Sequence, residues 1–229
     1  MASPWKRVVC LAFAFSAGLL LSACNLVTTE APLFTAADAA PTPPLREGIW
    51  VGGKEKDCRF DETRPVTSWP KCANWFLVRG DTLSHYDADK KSWEYAILRD
   101  GRVSTFEDGK WKEEGGFLLV AGDPMIGQLG EEKPDQPKAY FYMGLRPTLD
   151  DQGRVIQMSV WPVQCGPPPP PAKDGEKPAF ATQAPFAGMT MVENNCTTSS
   201  QDALRAAAKA SEGLDATTPT AHWLREGDH

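Results

Sequence analysis

The sequence predicts a mainly β domain, a small antiparallel β-barrel or sandwich of about eight strands with one C-terminal helix and two disulfides. Three observations predict it. Short apolar runs recur at roughly 8–12-residue spacing between turn residues. Four cysteines are available for pairing, and strong helix formers gather in a single stretch near the C-terminus. Strands and helices do not alternate along the chain, so a parallel α/β sheet is not expected.

Gly48-Ile49-Trp50-Val51 opens the β domain, which is expected to span residues 45–165. Asn74 to Val78 follows a first cysteine loop, and Thr82 to Tyr86 follows the turn residues Gly80-Asp81. A meander comes next. Trp93 to Leu98 is a strand, Asp100-Gly101 a type I′ turn candidate, Val103 to Phe106 a strand and Asp108-Gly109 a second turn. Trp111 and Phe117 to Ala121 continue it, and a looser stretch containing Asp123-Pro124 and Glu131 to Pro134 interrupts it. Ala139, Phe141, Met143 and Leu145 then share one face of a strand, while Tyr140 and Tyr142 occupy the other. Ile156, Met158 and Val160 share one face of the next strand, after a turn over Asp150 to Gly153.

Cys165-Gly166 leads into Pro167 to Pro171, an extended run without sheet donors. Residues 166–198 are therefore expected to be an excursion within a disulfide loop. Residues 199–213 predict the helix, with a capping box over Ser199 to Asp202, helix formers from Ala203 to Glu212, and Gly213 beyond. Leu204, Ala207 and Ala208 make a narrow apolar stripe suited to close packing on a sheet. Residues 214–229 read as a tail, from which Trp223 could tuck back.

The N-terminus predicts a destination. Lys6 and Arg7 precede the apolar run Val8 to Leu21, too short for the ~20 apolar residues of a spanning helix. The run ends in Leu21-Ser22-Ala23-Cys24, which resembles the lipobox of bacterial lipoprotein precursors. The resemblance implies that residues 1–23 are a signal peptide, that the Cys24 thiol is diacylglycerylated, and that the new amino end is acylated. Two or more chains hold a protein firmly at a membrane, where one does not. In such lipoproteins of Gram-negative bacteria, Asp after the cysteine favours retention at the inner membrane. Asn25 therefore points to the outer membrane, periplasmic side, with a surface-exposed orientation also compatible. Residues 24–44, rich in Ala and Pro, are expected to be a tether of about 25 Å as a coil or about 60 Å as polyproline II.

Loss of Lys6 and Arg7 with the leader takes 24 basic side chains to 22 against 30 acidic ones, a net charge of −8. An acidic surface repels phosphates, so no nucleic-acid partner is expected. Cys10 leaves with the leader and Cys24 carries lipid, which leaves Cys58, Cys72, Cys165 and Cys196 for two disulfides in an oxidising compartment. Of the three connectivities, Cys58–Cys72 and Cys165–Cys196 are favoured because each closes a short local loop. Each should contribute roughly 3–4 kcal/mol in the chain-entropy model. No Cys-x-x-Cys pair occurs, and His85, His222 and His229 lack ligand spacing, so neither a metal nor a cofactor is expected.

Gly48-Ile49-Trp50 resembles the Gly-x-Trp of the first lipocalin strand, a family with members among bacterial lipoproteins. There the tryptophan plugs the base of the barrel. A Thr-Asp-Tyr-like turn and an arginine over that tryptophan are not identifiable in this sequence. Secreted barrel-type inhibitors of metalloproteases also combine an early Gly-x-Trp with a disulfide. Trp69-Pro70-x-Cys72-Ala73, Trp161-Pro162-Val163-x-Cys165 and Arg205 to Ser211 resemble lipoproteins of Gram-negative bacteria that carry no known activity. That likeness implies architecture and not function.

No constellation for catalysis emerges. Gly48 to Lys54 fits half of a phosphate loop, but Glu55 stands where Ser or Thr should hold magnesium. No Gly-x-Ser-x-Gly occurs, and Asp87/Asp89, Glu113/Glu114 and Asp150/Asp151 sit at or near turns, where Asp serves local hydrogen bonding. The expected function is a non-catalytic, membrane-anchored envelope lipoprotein that binds an envelope protein or component. The alternative is a lipocalin-like carrier of a small apolar molecule, and the third reading is an envelope protease inhibitor or an enzyme. Trp50, Tyr140 and Tyr142 are the candidate contacts for a ligand or partner, since exposed aromatic patches mark binding surfaces.

Overall fold

The computed structural model describes residues 25–39, 43–52, 58–87, 89–99, 102–107, 110–131, 139–170, 181–214 and 220–227. The leader and Cys24 lie outside these residues, as does the part of the phosphate-loop stretch from Gly53 to Glu55. The described chain is mainly β and antiparallel, with one α-helix.

The strands are β1 (Thr28–Thr29), β2 (Gly48–Val51), β3 (Trp75–Arg79), β4 (Thr82–Asp87), β5 (Ser92–Arg99), β6 (Arg102–Glu107), β7 (Lys110–Val120), β8 (Met125–Glu131), β9 (Ala139–Leu149), β10 (Val155–Pro162), β11 (Thr190–Val192), β12 (Asn195–Thr197) and β13 (Thr220–Arg225). Eleven of them form one sheet in the order β1-β9-β10-β13-β2-β3-β4-β5-β6-β7-β8, and β8 pairs with β9 as well. β11 and β12 make a separate hairpin. The expectation of about eight strands in a small barrel or a two-sheet sandwich is thereby corrected to one larger sheet.

The strands missed from the sequence have identifiable causes. β8 carries Gly127 and Gly130, which are poor strand formers. The glycine at 130 is required, because a Cβ there would fall 2.8 Å from the Tyr140 ring of the paired strand. β13, expected to be tail, is an inner strand: it pairs with β10 through Met158↔Ala221 and with β2 through Trp50↔Trp223. Its backbone groups find partners far away in the sequence, so no local pattern announces it.

The sheet has two apolar faces. On the inward one, Trp50, Val78, Leu83, Ala96, Val155 and Ala221 cluster, and Met125, Leu145 and Val160 cluster beside them. Met158 packs against both clusters. The outward face is covered twice. Over β2 and β3, Ile49, Val51, Trp75 and Leu77 pack under Val66, Trp69 and Ala73 of the β2–β3 connection. Over β7 to β9, Val120, Ile126 and Tyr142 pack under α1 (Gln201–Ser211), the Cys165–Cys196 region and Val27 and Phe34.

α1 begins at Ser200, whose side chain accepts from the Ala203 amide at 3.1 Å, and buries Leu204, Ala207 and Ala208. Its close approach depends on Gly144 of β9, where a Cβ would collide with the Trp161 indole. Trp161 lies against that glycine and donates Nε1–H to the Ala208 carbonyl of the helix at 2.8 Å. The helix and two disulfides are as expected. Cys58 pairs with Cys72 and Cys165 with Cys196, each with Cα atoms 5.7 Å apart, in the usual range.

Candidate functional site

Two regions could carry function: the inward face of the sheet, and the N-terminal segment with the chain around it.

The inward face is mainly apolar, with buried Glu94 and Thr105 beside Ala96 as polar exceptions. Leu119 of β7, Leu129 of β8, Phe141 and Met143 of β9, Met158 of β10 and Phe76 of β3 point to this side by strand alternation and register. All six are only half-buried. Below them Trp50 is 1% exposed, stacks on Phe76 with ring centroids 5.9 Å apart, and donates Nε1–H to the Arg46 carbonyl at 2.8 Å. The Arg46 guanidinium lies 3.6 Å over the ring of Trp223, the strand partner of Trp50. Trp50, a candidate contact, is fully packed in this structure against Phe76 and Arg46.

The second region corrects the tether. Residues 25–39 are part of the body. Asn25 is 5% exposed, with a left-handed φ of +79°. Its side-chain amide donates to the Gly166 carbonyl at 3.0 Å and the Gln164 side chain at 3.2 Å, while its oxygen accepts from the Thr182 amide at 3.2 Å. Its main-chain N–H donates to the Asn194 carbonyl, and its own carbonyl accepts from the Cys165 amide at 2.8 Å. Leu26 bridges Gln164, and Val27 bridges Cys196. The segment therefore runs between two pieces of chain that the Cys165–Cys196 disulfide joins. Further on, β1 pairs with Thr28↔Phe141 and Thr29↔Tyr140, and the Gln128 amide clamps Phe34 by its N–H and its carbonyl, each at 2.9 Å. A Pro- and Ala-rich composition suggested a free coil. Buried Val27 and Phe34 and this set of backbone partners decide otherwise.

Tyr142 lies beneath this segment. It is 3% exposed, and its hydroxyl shares a 2.6 Å hydrogen bond with Thr29 Oγ1 and accepts from the Leu33 amide at 3.3 Å. Burial pushes that hydroxyl up from its ordinary pKa, so it stays protonated. In this structure the candidate contact Tyr142 holds the N-terminal segment through these bonds. Tyr140 is half-buried and lines a cleft of about 160 Å³ with Phe34, Leu118, Gln128 and the side-chain-free Gly116 and Gly130. Leu118, Gln128, Gly130 and Tyr140 place the cleft on the outward face.

Sequence reasoning did not anticipate an aromatic cluster on the outward face. Trp75 meets Trp69 and Trp93 edge-on at 6.2 and 5.8 Å, and Phe60 packs on Trp69 at 4.6 Å. His85 joins it, with Nδ1 2.9 Å from the Trp75 carbonyl, and burial holds its pKa below 6.5 against that bond and the Glu94 and Asp87 charges. At the surface, Arg146 grips Glu212 with two bonds of 2.6 and 2.7 Å and reaches Asp123 at 2.6 Å, tying the end of α1 to β9. These partners raise the Arg146 pKa and hold Glu212 below the usual carboxylate range. Among the described residues, no three His, Cys, Asp or Glu side chains gather in a way that could hold a metal ion, and no helix is long and apolar enough to cross a membrane.

No family model, curated protein or solved structure matches this chain.

Proposed function

We propose that the chain is a non-catalytic envelope lipoprotein, anchored by lipid at Cys24 to the outer membrane, that carries a small apolar molecule within its sheet. The observation that carries this reading is the half-buried state of Leu119, Leu129, Phe141, Met143, Met158 and Phe76. Large apolar side chains in a filled interior lose nearly all contact with solvent, since protein cores pack as densely as organic crystals. Ten strands whose pairings run in a circuit, β9-β10-β13-β2-β3-β4-β5-β6-β7-β8 and back to β9, are read as the wall of that interior. An apolar lining with few polar groups is the chemistry of a site for a fatty acyl chain or a similar molecule.

The test is titration of the purified mature protein with a fluorescent polyene fatty acid. Saturable one-to-one binding is expected, with energy transfer from Trp50 and Trp223. Met143→Arg should abolish it by putting a charge in the wall, and Met143→Trp should weaken it by filling the space. Binding that does not saturate, or is the same in both variants, overturns the reading. A second reading, docking of an envelope protein, draws on Tyr95 and Phe106, 36% and 37% exposed on the outward side of β5 and β6. Crosslinking in the envelope that captures one stoichiometric protein, lost in Tyr95→Ser, would favour it.

A further inference from the structure

We propose that the domain is seated directly on the bilayer that holds its anchor, with the end of the molecule around Asn25 as the membrane-facing surface. The inference rests on lipidation of Cys24. It follows from the length of chain between anchor and body, which is zero: Cys24 is one peptide bond, about 3.8 Å between Cα atoms, from a buried Asn25. A lipid chain at residue 24 enters the leaflet within a residue of the folded surface. The body cannot stand off unless Asn25 to Val27 are pulled from between the strands they bridge.

The chemistry of the surrounding surface is a separate observation. Asn25 is bonded to residues 164–166, 182 and 194. Residues 25–29, 163–170 and 181–192 contain no charged side chain, in a chain that is 24% charged. Exposed surface in these stretches includes Pro167, Pro168, Pro170, Ala184, Pro185 and Val192, with the uncharged polar Gln183 and Thr190. Val192 is the most exposed large apolar residue among the described ones, at 53%, and it lies in the β11–β12 hairpin whose turn residue Asn194 binds Asn25. Ions strongly resist transfer out of water, whereas prolines and small apolar groups at a headgroup boundary do not. These uncharged stretches can therefore rest closer to lipid than the acidic remainder, with Glu193 of the hairpin turn bordering them. The turn over Asp150 to Gly153 lies at the other end of β9 and β10, roughly 25 Å away along the strands, and faces water.

The experiment uses the lipidated protein, purified from membranes and reconstituted into vesicles of phosphatidylethanolamine and phosphatidylglycerol. Carboxylates are labelled with a water-soluble carbodiimide and an amine, and the sites are read by mass spectrometry. Glu193, exposed in the hairpin turn, reports the proposed face; Asp151 reports the far end. A variant with a ten-residue Gly-Ser spacer between Cys24 and Asn25 serves as the comparison. Several-fold weaker labelling of Glu193 in the natural protein than in the spacer variant, with Asp151 equal in both, is expected. Equal labelling of Glu193 in two proteins that both float with vesicles overturns the seating while leaving the anchor intact. Failure of the natural protein to float overturns the anchor itself.

Discussion

Replacing Asn25 with Asp removes one atom's donor function and should cost the fold heavily. The Asn25 amide is the donor to the buried Gly166 carbonyl at 3.0 Å and to Gln164 at 3.2 Å, and Asp cannot supply it when ionised. A carboxylate oxygen would instead face two acceptor oxygens in a site 5% exposed. A buried acceptor left unsatisfied costs about 1–3 kcal/mol, more against a charge, so the expected loss is about 3 kcal/mol. That corresponds to a urea midpoint lowered by about 1 M for a protein of this size. Urea unfolding of the purified protein, followed by tryptophan fluorescence near neutral pH, measures it. The sign with pH is fixed by the same geometry. Burial raises the folded pKa of the introduced carboxyl above its unfolded value of about 3.9, so the folded state takes up its proton first as pH falls. The deficit of Asn25→Asp should therefore shrink relative to the natural protein on acidification through that raised pKa. A variant as stable as the natural protein, or a deficit that does not change with pH, would refute the structural role of this residue. The same result bears on sorting: an Asn required by its donors is poor evidence for destination.

Gly144→Ala should lose about 1–3 kcal/mol, because its Cβ displaces Trp161, and the loss should appear as a lower urea midpoint with faster exchange of the α1 amides. His85 should make stability fall on acidification. Its folded pKa lies below 6.5, so the unfolded ring protonates first and draws the equilibrium toward the unfolded state as pH drops from 6.5 to the folded value. Melting temperatures taken from about pH 8 to about pH 5 should decline more steeply in the natural protein than in His85→Gln, and parallel curves would contradict this.

Much of the fold was legible where pattern and structure share a local cause. Alternation along β9 placed Phe141 and Met143 on one side and Tyr140 and Tyr142 on the other, and that separation holds. The helix was legible because its helix formers and stripe are contained in one segment, although its cap is Ser200, one residue on from the capping box expected at Ser199. β8 was not, because its glycines answer to Tyr140 and Leu145 across the sheet rather than to neighbours in sequence. The candidate contacts Trp50 and Tyr142 were chosen as aromatics on a strand, and composition does not distinguish an aromatic under a covering segment from one left open. The covering segment itself was read as a tether because its Pro and Ala content carries no periodicity.

Sequence alone indicated the mainly antiparallel β character, favoured the two cysteine pairings found among three connectivities, and located the helix, each a matter of spacing within about thirty residues. Tertiary structure decided the circuit of strand pairings, the insertion of β13 between β10 and β2, the half-buried inward wall and the burial of Asn25. The division has one physical reason. Backbone hydrogen bonds and apolar surface must find partners somewhere, and where those partners lie more than a hundred residues away, as for Asn25 and Gly166, only the assembled fold can identify them.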